Sequence, residues 1–105
     1  MARRAKPRAS RAEKRLADLD IVLSALAHAS RRQILLVLHY RGGKMTADEI
    51  AERFSCSWPT TTRHLGVLRD AGLVDVERAG RSRVYRLNRE RLLEVAGGWL
   101  ASFGE

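Results

Sequence analysis

Apolar residues recur at helical spacing through most of this chain and switch to alternation late in it. Leu16, Leu19, Val22 or Leu23, and Leu26 follow one another at steps of three and four, predicting a first helix from Arg11 to about Ala27. Ser30 is a good N-cap for a second helix whose stripe is Ile34, Leu35 and Leu38, and Gly42 and Gly43 end it. Thr46-Ala47-Asp48-Glu49 has the form of a capping box, with Ile50, Ala51 and Phe54 as the buried face of a short third helix. Ser55-Cys56-Ser57 reads as a turn. Ser57 then caps a fourth helix, which tolerates Pro59 in its first turn, buries Leu65 and Leu68, and stops at Gly72. Leu73 to Arg78 and Arg83 to Leu87 alternate as two strands, joined by Ala79-Gly80-Arg81-Ser82. Asn88 caps a last helix with an apolar stripe of Leu92, Val95, Trp99 and Phe103, flanked by Leu93, Ala96 and Leu100.

The chain has 105 residues, 45% of them apolar, which suits one small domain with a real core. Such a core is marginal alone, so a partner that covers more apolar surface would help. No stretch approaches the roughly 20 apolar residues of a membrane span, and no apolar segment follows the basic N-terminus as in a secretory signal. The cytoplasm is the expected location. One cysteine, Cys56, makes no intrachain disulfide and suits a reducing compartment.

Charge separates the chain into two regions. The net charge is +8, yet seven of the twenty basic residues lie in the first fifteen positions, against Glu13 alone. Residues 1–11 are therefore expected to be a disordered basic arm attached to a nearly balanced domain of residues 12–105. Such an arm is drawn to any polyanion, and it would serve equally as a solvated tail.

Two short helices joined by a tight turn and followed by a hairpin can set the second helix in the DNA major groove. With Thr61 at the buried centre of the fourth helix, Leu65 and Leu68 share its side and His64 lies on the flank. Thr62, Arg63 and Gly66 face the other way, with Thr60 at the edge. Ser57, Thr60, Thr62 and Arg63 can donate to phosphates or base edges. Arg78, Arg81 and Arg83, grouped about Gly80, can follow the phosphate backbone. These charges would also keep an edge hairpin from pairing with other sheets.

The stretch Ala25-Leu26-Ala27-His28-Ala29-Ser30-Arg31-Arg32-Gln33-Ile34-Leu35 resembles the "ALADPTRRxIL" opening of ArsR-type repressors. Ile50 to Phe54 with Ser57 to Leu65 is similar to their "LAE…SQPTVSRHL" recognition segment, and Val67 to Val74 with Gly80 to Leu87 to the helix end and wing. The likeness covers about residues 20–100. It implies a mainly helical winged helix-turn-helix with a small β-hairpin, dimeric through its first and last helices. The partners implied are double-stranded DNA at an operator with two half-sites and a second copy of the chain; repression would be released by a signal, and no effector is named. The apolar residues Leu16, Leu19, Leu23, Leu92, Val95, Trp99 and Phe103 offer a dimer surface, or else cover the domain's own core.

Metal-sensing relatives carry a Cys-x-Cys pair near the third helix, or Asp and His ligands on the last. Here neither set is present, and Cys56, His28, His39 and His64 share no ligand spacing, so neither metal nor cofactor is expected. His64 reads as a packed, hydrogen-bonded residue. Trp58, where the family commonly has Gln, is expected to pack rather than read bases. Cys56 fills a turn or forms a redox-sensitive thiol. Gly66 sits mid-helix, where it either removes a DNA contact or permits closer approach. No nucleophile–base set or phosphate-binding glycine loop points to an enzyme. The sequence thus suggests a sequence-specific DNA-binding repressor, with a non-specific nucleic-acid binder or a winged-helix protein-interaction module as alternatives.

Overall fold

The computed structural model describes residues 10–55 and 57–104. Most of the basic arm, and Cys56 with its two readings as turn filler or redox-sensitive thiol, lie outside the described residues. The order is α1 (Arg11–Leu26), α2 (Ala29–Tyr40), β1 (Lys44–Thr46), α3 (Ala47–Arg53), α4 (Trp58–Asp70), β2 (Val74–Ala79), β3 (Ser82–Leu87) and α5 (Arg89–Leu92). A π-helical turn (Leu93–Gly97), α6 (Gly98–Ala101) and a 3-10 turn (Ser102–Gly104) complete it.

Ser10 caps α1 by accepting from the Glu13 N–H at 3.1 Å, which places Arg11 in the helix rather than at the end of the arm. Leu19, Val22 and Ala25, at steps of three, are its buried residues. Its last turn holds no basic residue of its own. Arg31 and Arg32 from α2 supply the cations: Arg31 Nε donates to Ala25 O at 2.6 Å and Arg32 Nη1 to Leu26 O at 2.7 Å. Positive charge at free C-terminal carbonyls is favoured by the helix dipole. Helix α2 starts at Ala29, not after Ser30. His28 is its N-cap, with Nδ1 accepting from the Ser30 N–H at 3.2 Å.

The capping box at Thr46 forms in both directions, Glu49 N–H to Thr46 Oγ1 and Thr46 N–H to Glu49 Oε1. The Thr46 N–H on the carboxylate, and after it the Thr46 hydroxyl beside it, hold the Glu49 carboxyl below its usual range, and Arg41 adds to the effect. Helix α4 closes in a Schellman motif: Gly72 N–H donates to Arg69 O and Leu73 N–H to Leu68 O, both at 2.9 Å. Gly72 stands at φ +77°, where only glycine fits without strain.

The two strands read from the sequence form, and a third, Lys44–Thr46, joins them in an antiparallel sheet of order β1-β3-β2. Met45 pairs with Tyr85, and Tyr85 with Val76, so one row points toward the core. That core joins Val22, Ala25, Ile34, Leu35, Leu38, Met45, Ile50, Leu65, Leu68, Leu73, Val74 and Tyr85. It anchors α4 by one side only.

The expected last helix forms as one uninterrupted helical run from Arg89 to Gly104, with a π-helical turn at Leu93–Gly97 and a 3-10 turn at its end. This end packs on α1 of the same chain, and Leu92 and Val95 lie against the core.

Candidate nucleic-acid interface

The recognition segment is built from its buried side outward. Thr61 is buried, and its Oγ1 donates to Ser57 O at 3.1 Å, which satisfies a hydroxyl otherwise costly to bury. Leu65 and Leu68 lock the same side into the core. The opposite side, expected to be free, is free: Ser57, Thr62 and Arg63 are exposed and Thr60 is half-buried at the edge. Ser57 Oγ caps the helix and donates to Thr60 Oγ1 at 2.9 Å, so these two hydroxyls form one preset pair.

The wing is a tight hairpin. Ala79 pairs with Ser82, leaving Gly80 and Arg81 as a two-residue turn. Gly80 takes φ +61° at the first central position, as a type II′ turn requires. Arg78 and Arg83 stand directly opposite each other across the strands. Like charges in that relation destabilise a hairpin. Among the described residues, no acidic side chain pairs with either, or with Arg81 or Arg63. Nearby Arg86 and Arg69 differ: Arg86 binds Glu77 at 2.8 Å, and Arg69 lies 3.7 Å from Asp70. The hairpin thus concentrates three uncompensated guanidinium groups beside the open face of α4.

His64 is packed, at 8% exposure, but the expected hydrogen bond is missing: its Nδ1 is buried without a partner. Its ring sits 4.4 Å from that of His28 at 50°. Burial, then the neighbouring His28, Arg31 and Arg63, push its pKa below the usual histidine value. Trp58 also departs from expectation. It is 39% exposed and lines a cleft of about 430 Å³ with Ala47, Asp48, Ala51, Arg81, Ser82 and Arg83. At the first position of α4 the core lies below, so the indole turns to the wing instead. At Gly66 an added Cβ would meet nothing within 4 Å, so packing within the chain does not demand glycine there.

The expected dimer residues divide. Leu16, Leu23, Trp99 and Phe103 are exposed, joined by Leu93 and Leu100. Leu19 is corrected: at 6% exposure it belongs to the chain's own fold, because α1 meets the last helical segments there. Leu92 and Val95 are half-buried against the core and offer only part of their surface. Trp99 and Phe103 meet edge to face at 5.1 Å, an aromatic pair left facing outward. No group of three or more His, Cys, Asp or Glu side chains converges among the described residues.

Sequence reasoning missed Arg91. Its Nε donates to Ala71 O at 3.2 Å, and its Nη2 lies 3.6 Å from Asp18 Oδ1. It joins the last helical segments, α1 and the end of α4. The sequence signal was Gly72, whose missing side chain leaves room for the guanidinium 3.1 Å from where a Cβ would stand.

A helix-turn-helix domain model matches residues 26–77. The transcriptional repressor SdpR of Bacillus subtilis is 37% identical over 85 residues, covering 81% of this chain and 91% of that one. An ArsR-like transcriptional regulator from Rhodococcus sp. superposes with a TM-score of 0.72 at 31% identity, over 85% of this chain and 81% of that one. A homodimeric winged helix-turn-helix DNA-binding domain from Mycobacterium bovis gives a TM-score of 0.70 at 25% identity, over 93% and 90%.

Proposed function

We infer that this chain, which belongs to the ArsR-type family of winged helix-turn-helix repressors, is a DNA-binding transcriptional repressor that grips its operator as a homodimer. One observation carries the reading: an open helix face of Ser57, Thr60, Thr62 and Arg63 stands beside a wing whose Arg78, Arg81 and Arg83 lack acidic partners. In this arrangement α4 enters the major groove, its N-terminal residues reach base edges, and the wing follows the neighbouring backbone. Residues 1–11 add affinity without sequence preference through their charge. The repressor acts in the cytoplasm.

The exposed apolar residues of α1 and the last helical segments support pairing of two copies, as does the homodimeric state of the Mycobacterium relative. Two-fold pairing would present two copies of α4 about one DNA turn apart, on the order of 34 Å, to a palindromic site.

The test begins with duplexes selected by the wild-type protein from a randomised pool. A recurring palindrome, bound in the presence of excess unrelated DNA at physiological salt, is the expected result. Arg63→Ala should cost about 1–3 kcal/mol and relax the preference at one position. Arg81→Ala should weaken all duplexes alike and reduce the salt slope by about 1. A pool that yields no consensus would leave a non-specific binder; unchanged affinity in both variants would leave a protein-interaction module.

A further inference from the structure

A helix in the major groove and a hairpin in the adjoining minor groove straddle a single phosphodiester strand. Whatever lines the space between α4 and the wing therefore faces that strand's sugars and phosphates. In this chain that space includes a cleft of about 430 Å³ that lies between α3 and the wing and that α4 enters only through Trp58. Ala47 and Ala51 of α3 are short and leave it open, and Arg81 and Arg83 form the wing side. Trp58 projects into it from the first turn of α4, more than a third exposed.

The lining is chemically uneven. The two guanidinium groups attract phosphate. The carboxylate of Asp48, on the α3 side, repels it. A strand lying in the cleft thus turns its phosphates toward the wing and its deoxyribose toward the α3 and α4 side, where the indole is. An aromatic face suits the C–H surface of a sugar or the edge of a base, and its contact is indifferent to charge.

We propose that Trp58 is a DNA-contacting residue of this repressor, its indole packed on a deoxyribose of the strand that passes between α4 and the wing. This rests on the DNA-binding reading above and extends it to a residue that neither the open helix face nor the charged wing includes. Arginines in the cleft hold the strand by charge, and Trp58 sets how far it can approach.

The two kinds of contact differ in salt dependence, which gives the test. On a duplex selected by the wild-type protein, Trp58→Ala should lose about tenfold in affinity with an unchanged slope of log K against log salt. Arg81→Ala should lower that slope by about 1. Trp58→Phe keeps an aromatic face and should retain most of the affinity. Because Trp58→Ala could disturb the start of α4, fluorescence supplies an independent readout. Tryptophan emission of a Trp99→Phe variant, in which Trp58 is the one tryptophan left, should fall on adding the duplex. Wild-type affinity in Trp58→Ala, or emission of the Trp99→Phe variant that does not change on adding a duplex it binds, would overturn the proposal while the repressor reading stands. No binding by the wild-type protein would overturn both.

Discussion

A neutral imidazole is the form that the underside of α4 accepts. His64 is buried, its Nδ1 has no partner, and His28, Arg31 and Arg63 all oppose a positive charge there. In the unfolded chain the same ring takes up a proton near its ordinary value of about 6.5. Its folded pKa is lower, so the unfolded chain binds more protons in the interval between the two values, and stability rises with pH across it. The contribution is complete above the unfolded value and is lost as pH falls through the folded one. We expect the melting temperature to fall as the pH is lowered below the ordinary histidine value of about 6.5. His28→Asn retains a capping side chain for the Ser30 N–H while removing the ring that covers His64. Its pH dependence should be shallower, as followed by circular dichroism; equal slopes in the two proteins would refute the account. Gly66 gives a second prediction. Nothing in the chain occupies the space of its missing side chain, so Gly66→Ala should stabilise α4 by about 1 kcal/mol and raise the melting temperature by about 4–8 °C.

Among the elements, the wing is where stability and binding conflict. Arg78 faces Arg83 across the hairpin, a repulsion that a phosphate would relieve. Arg83→Glu converts the pair to opposite charges and should stabilise the fold by about 0.2–1 kcal/mol. It should at the same time weaken DNA binding more than Arg83→Ala does, since it places a negative charge at the backbone. Thermal melting and fluorescence anisotropy check the two effects separately, and a destabilised Arg83→Glu would count against this view of the hairpin. The wing was legible in the sequence because six-residue strands are long enough to show alternation, and Gly80 marks their turn. The capping box and the stripe of α4 were legible for the same reason: each is a local pattern. Strand β1 was not, because three residues with only Met45 buried carry no period. The His28 cap was missed because histidine is not among the usual capping residues, and Ser30 next to it is. The burial of Leu19 depends on how the last helical segments return across α1, a tertiary fact with no trace in local spacing. Trp58 was misjudged in a related way: its angle about the helix is near the packed flank, but at the first turn the core has already fallen away.

For the whole molecule, two surfaces need occupants: the arginine-rich face, and the apolar one on α1 and the last segments. Phe103 is 73% exposed, so Phe103→Asp should leave the monomer's fold intact while shifting sedimentation toward the single chain and weakening operator binding. A wild-type protein that sediments as a monomer at micromolar concentration would remove the dimer from the proposal. Arg91 joins the far end of α4 to α1. It bonds the carbonyl at the end of α4, lies beside Asp18 of α1, and grows from the first turn of the closing segments. In the proposed dimer linkage is reciprocal: whatever pairing does for operator affinity, the operator does for pairing. Replacing the guanidinium with an uncharged side chain of similar length, as in Arg91→Met, should lower the melting temperature, because the carbonyl that closes α4 and the Asp18 carboxylate lose the cation that rivets them together.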